Sequence, residues 1–184
     1  MTTHDQTDTR TDDIDQERRD LLESLHTQRF FLRHTVAGLS DDQARQRTTV
    51  SELTLGGLVK HVMLTEAGWL DFAEHGAPEG FSTDGGEGPS EEQLAARAAE
   101  FTLLPEETLA GVLAQYEEVA ARADRLVATL DLDHAWPLPP APWFEPGGTR
   151  SVRRVITHVV GETAQHAGHA DILREALDGQ KTMG

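Results

Sequence analysis

The sequence predicts an all-α protein, a bundle of four long helices. Two observations carry that expectation. Apolar residues recur at three- and four-residue spacing in four separate stretches. No two alternating runs joined by a tight turn offer a credible pair of strands. Nor is there an internal repeat at the period of about 20–50 residues that marks a solenoid.

The elements follow in order. Residues 1–12 are polar, rich in Thr and Asp and aperiodic, which predicts a disordered tail. The first helix is expected over residues 13–37, with Ile14, Leu21, Leu22, Leu25, Phe31, Leu32 and Val36 at helical spacing. Gly38 can end it, and Ser40 to Gln43 has the pattern of a capping box opening a short helical turn. The second helix covers residues 54–74, where Leu55, Leu58, Val62, Thr65, Trp69 and Phe72 share a face. His75-Gly76 closes it, and Gly and Pro dominate the loop over residues 77–89. Ser90, followed by Glu91, Glu92 and Gln93, caps a further helical stretch. Pro105 to Thr108 reads as the first turn of the third helix, which runs to residue 130.

Residues 131–149 hold five prolines and a Gly-Gly pair, so they cannot be regular helix. Trp136, Trp143 and Phe144 make the segment too apolar to float free. It is expected to pack over one end of the bundle and to wall a pocket. The fourth helix begins near Thr149 or Ser151 and stops at Asp178-Gly179. A single bundle domain thus spans residues 13–179, with a short tail over residues 180–184.

The formal charge of −16 describes a surface that repels phosphate backbones and anionic lipid. Nucleic acid is therefore not an expected partner. No apolar run approaches the ~20 residues of a membrane span. The N-terminus has no apolar segment of a secretory signal, so the expected address is the cytoplasm. The chain has no cysteine. That excludes disulfides, thiolate metal sites and a cysteine nucleophile. Any metal must be held by imidazole and carboxylate, and any thiol must come from a small molecule.

The informative stretch lies in the fourth helix and contains His158, Glu162, His166 and His169. With His158 at zero, Glu162 falls near about 40°, His166 near 80° and His169 near 20° around the helix axis. Val155, Leu173, Val159, Leu177 and Ala170 place the centre of the apolar stripe at roughly 90°. His166 sits in that stripe, Glu162 close by, and His158 and His169 at its edge. A buried carboxylate four residues before a buried imidazole costs several kcal/mol unless something compensates it. A divalent cation would do so. A hydrogen-bonded Glu–His pair that fixes helix packing would give the same spacing, but His61 on the second helix offers a further ligand. His61, Glu162 and His166 are therefore the candidate metal ligands, with open positions suited to catalytic zinc or a similar ion. The His-Glu-x-x-His motif, paired Glu-x-x-His motifs, a P-loop, GxGxxG and G-x-S-x-G are all absent.

Two segments carry a family resemblance. They are Glu162-x-x-x-His166-Ala-Gly-His169-Ala-Asp-Ile-Leu173-Arg174 and Leu58-Val-Lys-His61-Val-x-x-x-Glu66-x-x-Trp69. Over residues 15–178 the chain resembles the DinB-like superfamily, in its actinobacterial branch described as a domain of unknown function. The resemblance implies a four-helix bundle with up-down-down-up connectivity. It also implies a zinc or nickel ion held by one His from the second helix and two residues four apart in the last. The usual last-helix pair is two His; the first is Glu162 here, as in the mycothiol-dependent maleylpyruvate isomerase branch. The Gln that often follows by three is His169 here, a fourth ligand, a ligand-orienting group or a substrate contact.

Characterised relatives use mycothiol or bacillithiol as nucleophile. The resemblance therefore implies a metal-dependent thiol S-transferase or isomerase acting on a small-molecule thiol and an electrophile. Here His169 would be the catalytic acid–base group. Arg150, Arg153 and Arg154 could meet an acidic group, or simply form a solvated basic turn. The competing expectation is a non-catalytic metal-binding stress-response bundle with a structural or vestigial site. An exposed apolar helix face would permit a homodimer, which the sequence leaves open.

Overall fold

The computed structural model describes residues 14–78, 90–141 and 144–182. The expected N-terminal tail, most of the Gly- and Pro-rich loop, Trp143 and the last two residues lie outside the described residues. Among the described residues six helices follow in chain order: α1 (Gln16–Thr35), α2 (Asp41–Arg45), α3 (Leu55–His75), α4 (Glu91–Glu100), α5 (Leu109–Thr129) and α6 (Val152–Asp178). Asp15, Thr54, Thr108 and Ser151 each accept a hydrogen bond from the backbone amide three residues on. Each thereby satisfies one of the orphan donors of a helix start. Ser40 and Gln43 form both halves of the capping box. Gly76 and Gly179 follow α3 and α6 with φ of 74° and 81°, a conformation in which only glycine is unstrained.

Two sequence expectations need correction. The third long helix begins at Leu109, not at Pro105. The Glu107 carboxylate is drawn off by Lys60 Nζ and by the Leu104 amide, each at 2.8 Å. Pro105 to Glu107 therefore form a turn ahead of the helix. The second correction concerns strands. Among the described residues, β1 (Ala135–Pro137) pairs antiparallel with β2 (Thr149–Ser151), Trp136 opposite Arg150. Three residues are too few to show alternation, and a proline argues against a strand from sequence alone.

Contacts along the helices give their directions. Lys60 near the start of α3 reaches Glu107 just ahead of α5, and Glu74 near the end of α3 accepts from Arg122 Nε at 3.0 Å. These two helices are parallel. Arg153 at the start of α6 bonds Glu17 at the start of α1. Arg174 Nη1 donates to the Thr35 carbonyl at the end of α1, at 2.9 Å. These two are parallel as well. Arg18 in α1 donates to the carbonyl of Val127 in α5, so that pair is antiparallel. The chain runs up-down-down-up, as the DinB-like resemblance implies. A crossover must return from the end of α3 to the start of α5, and it carries α4. α6 packs against both α1 and α3, and α5 closes the ring against α3 and α1.

Leu32, Leu58, Val62, Tyr116 and Ala170 belong to the largest apolar cluster, inside that ring. A buried ion pair joins the helices of that ring. Arg29 of α1 donates through Nε to Glu66 Oε2 of α3 at 3.3 Å, and through Nη1 to Asp124 of α5 at 3.1 Å. The Glu66 side chain has no solvent exposure. Burial works against the Arg29 charge, but Glu66 outweighs it and the guanidinium pKa is raised. One side chain thus ties three helices.

Removing one partner would leave a buried charge unpaired. Arg29→Met should destabilise the fold by about 3–5 kcal/mol, while Arg29→Met with Glu66→Leu should recover most of that loss. Urea unfolding of the single and double variants checks both. Equal losses in the two would contradict this reading.

Candidate metal centre

The α3–α6 contact is antiparallel, and it brings His61 to the middle of α6. The His61 ring meets the His166 ring edge-on, centroids 5.0 Å apart. Within α6, Glu162 Oε2 lies 3.5 Å from His166 Nε2, and Oε1 lies 3.6 Å from His158 Nε2. Donor atoms of His61, Glu162 and His166 all fall within 4.8 Å of one another. The three expected ligands therefore converge. His158 and His169 stand outside that cluster.

The site is shallower than the helix wheel implied. Ile156, Thr163 and Ala167 are buried along with Val155, Val159 and Ala170. Their mean direction lies at about 120°, further from His158 than expected. Glu162 and His166 consequently occupy the rim, with side chains 28% and 13% exposed. Thr163 could not be placed inward from sequence because its hydroxyl is polar. It donates to the Val159 carbonyl at 2.9 Å, which makes burial affordable.

Two neighbours of His61 complete its surroundings, and the first was not legible in the sequence. Phe101, on the crossover after α4, stacks on the imidazole with centroids 3.8 Å apart and planes at 19°. The close approach depends on Gly57. A Cβ there would lie 1.9 Å from the Phe101 carbonyl oxygen. The Gly56-Gly57 pair at the start of α3 was the available signal. The second neighbour is Thr65, whose Oγ1 lies 3.4 Å from His61 Nε2, one helical turn on.

The electrostatics suit a cation. Burial, reinforced by His166 and opposed by Glu162, pushes the His61 pKa down from 6.5 to about 4. Burial also lowers His166, against the pull of Glu162. Both rings are thus neutral at pH 7 and keep a lone pair. In each ring Nδ1 is buried with no hydrogen-bond partner among the described residues. An unmatched buried nitrogen is costly, and coordination would remove that cost. Two imidazoles and a carboxylate are a normal donor set for zinc or nickel. The residues present fit such an ion.

The family model of the mycothiol-S-transferases matches residues 20–179. The chain belongs to the mycothiol-S-transferase family. The same fold is found in the crystal structure of a conserved protein from Enterococcus faecalis. That structure aligns with a TM-score of 0.64 and 11% identity, over 91% of this chain and 100% of that one. No curated protein matches the chain.

In this mycothiol-S-transferase family member, the segment before α6 packs over the end of the bundle as expected. Trp136 Nε1 donates to the Ala73 carbonyl at 3.0 Å, and its ring lies against Gly76. That seat takes Trp136 out of the expected pocket wall. Phe144 does line a cavity of about 770 Å³, together with Leu138, Thr65, Trp69 and Phe72. Thr65 both borders this cavity and touches His61. Trp69 meets His158 edge-on, centroids 4.8 Å apart. His169 is exposed, its centroid 5.6 Å from that of His166. Among the described residues, no helix is long and apolar enough to cross a membrane.

The His61 pKa carries a stability consequence. The unfolded chain binds a proton at about 6.5 and the folded chain at about 4, so acid favours unfolding. The contribution is fully present above 6.5 and is lost as pH falls toward 4. Metal-free His61→Gln should therefore show a shallower fall in urea midpoint across that window than wild type. An unchanged slope would mean that His61 is not held neutral by the fold.

Proposed function

We propose that the protein is a divalent-metal-dependent S-transferase that joins a mycothiol-type thiol to a small-molecule electrophile. The carrying observation is the convergence of His61, Glu162 and His166 within 4.8 Å in a member of the mycothiol-S-transferase family. Those three residues would hold the ion, with zinc and nickel both suited to the donors. When bound, the ion supplies Lewis acidity that favours thiolate over thiol at neutral pH. The chain lacks cysteine, so the sulfur comes from the cosubstrate.

The remaining roles fall to nearby side chains. Phe101 covers one face of His61 and keeps water from that side. His169, exposed beside His166, takes up the thiol proton and passes it to solvent. The sulfur then forms its bond to the electrophilic carbon, and the leaving group departs with the bonding pair. Thr65 and Trp69 connect this point to the apolar cavity, which would receive the electrophile.

One observation favours the competing reading of a closed, structural site in a non-catalytic bundle. His158 Nε2 lies 3.6 Å from Glu162 Oε1 and could complete a shell of four donors. Its place outside the cluster, against Trp69, supports the open arrangement instead.

Reconstituted with zinc or nickel, the protein should consume mycothiol in the presence of a reactive alkyl halide, and a chelator should stop it. His166→Ala and Glu162→Ala should each lose at least about 100-fold, the upper range for disturbing a metal site. Turnover that survives both chelation and these substitutions would exclude the metal-dependent mechanism. Absence of turnover across a panel of electrophiles, with metal bound, would favour the structural site.

A further inference from the structure

Arg150 is a half-buried guanidinium with no acid paired to it among the described residues. Its carbon lies 4.6 Å from the centroid of Trp69 and 5.4 Å from that of Phe144. Burial lowers its pKa and Arg154 lowers it further, with no carboxylate among the described residues opposing them. Such isolation is unexpected in a chain with 32 acidic and 16 basic residues. Nearby Arg153, by contrast, is paired with Glu17 and Asp133. Among the described residues no hydrogen bond or ion pair engages the N–H groups of the Arg150 side chain, and a guanidinium fork matches a planar anion. Trp69 and Phe144 are also walls of the 770 Å³ cavity. Trp69 then touches His158, which faces Glu162 of the metal cluster.

We infer that Arg150 and the cavity form a subsite for an aryl carboxylate, the apolar body against Trp69 and Phe144 and the carboxylate on the guanidinium. The volume admits a ligand of one or two rings with room to spare. Asp71 also lines the cavity, but its carboxylate is paired with Arg122; Arg150 therefore offers an anion a partner on a protein whose net charge otherwise repels it. As the seat of the electrophile the subsite rests on the transferase reading. The charge preference of the pocket does not.

Calorimetric titration with 2-naphthoate and with neutral 2-naphthamide tests it on the full-length, zinc-loaded protein. Wild type should bind the carboxylate about tenfold more tightly than the amide, the gain of one charge-assisted contact. Arg150→Gln should abolish that preference and keep the affinity for the amide, while Arg150→Lys should keep part of it. His166→Ala should lose zinc and thiol turnover yet retain the preference, which separates this subsite from the metal chemistry. Equal affinities in wild type, an undiminished preference in a folded Arg150→Gln, or no saturable binding of either ligand below about 1 mM would overturn the proposal.

Discussion

α3 and α6 run antiparallel and in contact, and the geometry of the candidate site depends on that alignment. An imidazole one-third of the way along α3 meets an acid and an imidazole in the middle of α6 because the two helices pass at that level. The alignment is held from outside the site. Arg29 fixes α3 to α1 through Glu66, and Arg174 fixes α6 to α1 through the Thr35 and Ala37 carbonyls. Both contacts are buried and charge-assisted, so a slip of one helix past another would strand a charge. α1 contributes no ligand, yet it sets the register of the two helices that do.

The position of the cluster at the rim gives it two properties at once. Burial is sufficient to keep His61 and His166 neutral, which a metal ligand requires. The Glu162 side chain nevertheless keeps part of its surface in solvent, so placing a carboxyl group there escapes the full cost of desolvation. The crossover completes the enclosure from the other side. Because α3 and α5 are parallel, the chain must travel back along the bundle, and that return places Phe101 on His61. The topology and the lining of the site are therefore the same feature.

Much of this was legible in the sequence where periodicity or capping chemistry was local. The four long helices, the Ser40–Gln43 box and the Gly76 and Gly179 stops were all expected, and so was the convergence of His61, Glu162 and His166. Features that depend on chain segments far apart were not legible. Phe101 is 40 positions from His61 in the numbering, and only Gly57 hinted that a backbone must come close. The β1–β2 pair is too short to show a pattern. Pro105 to Glu107 looked like a helical turn because the local composition is right, but Lys60 on another helix captures Glu107. Thr163 has a polar side chain in a buried position because its hydroxyl finds a carbonyl in its own helix.

The organisation of the molecule places an acidic exterior around a small basic and imidazole-rich strip that runs from Arg150 in β2 to His169 in α6. An apolar cavity adjoins that strip through Thr65 and Trp69. X-ray absorption spectroscopy of the nickel- or zinc-loaded protein tests the central claim most directly. The account predicts one ion per chain, with a scattering pattern of two imidazoles, one carboxylate and at least one exchangeable light ligand. An ion bound with no imidazole scattering, or no stoichiometric binding at all, would contradict it.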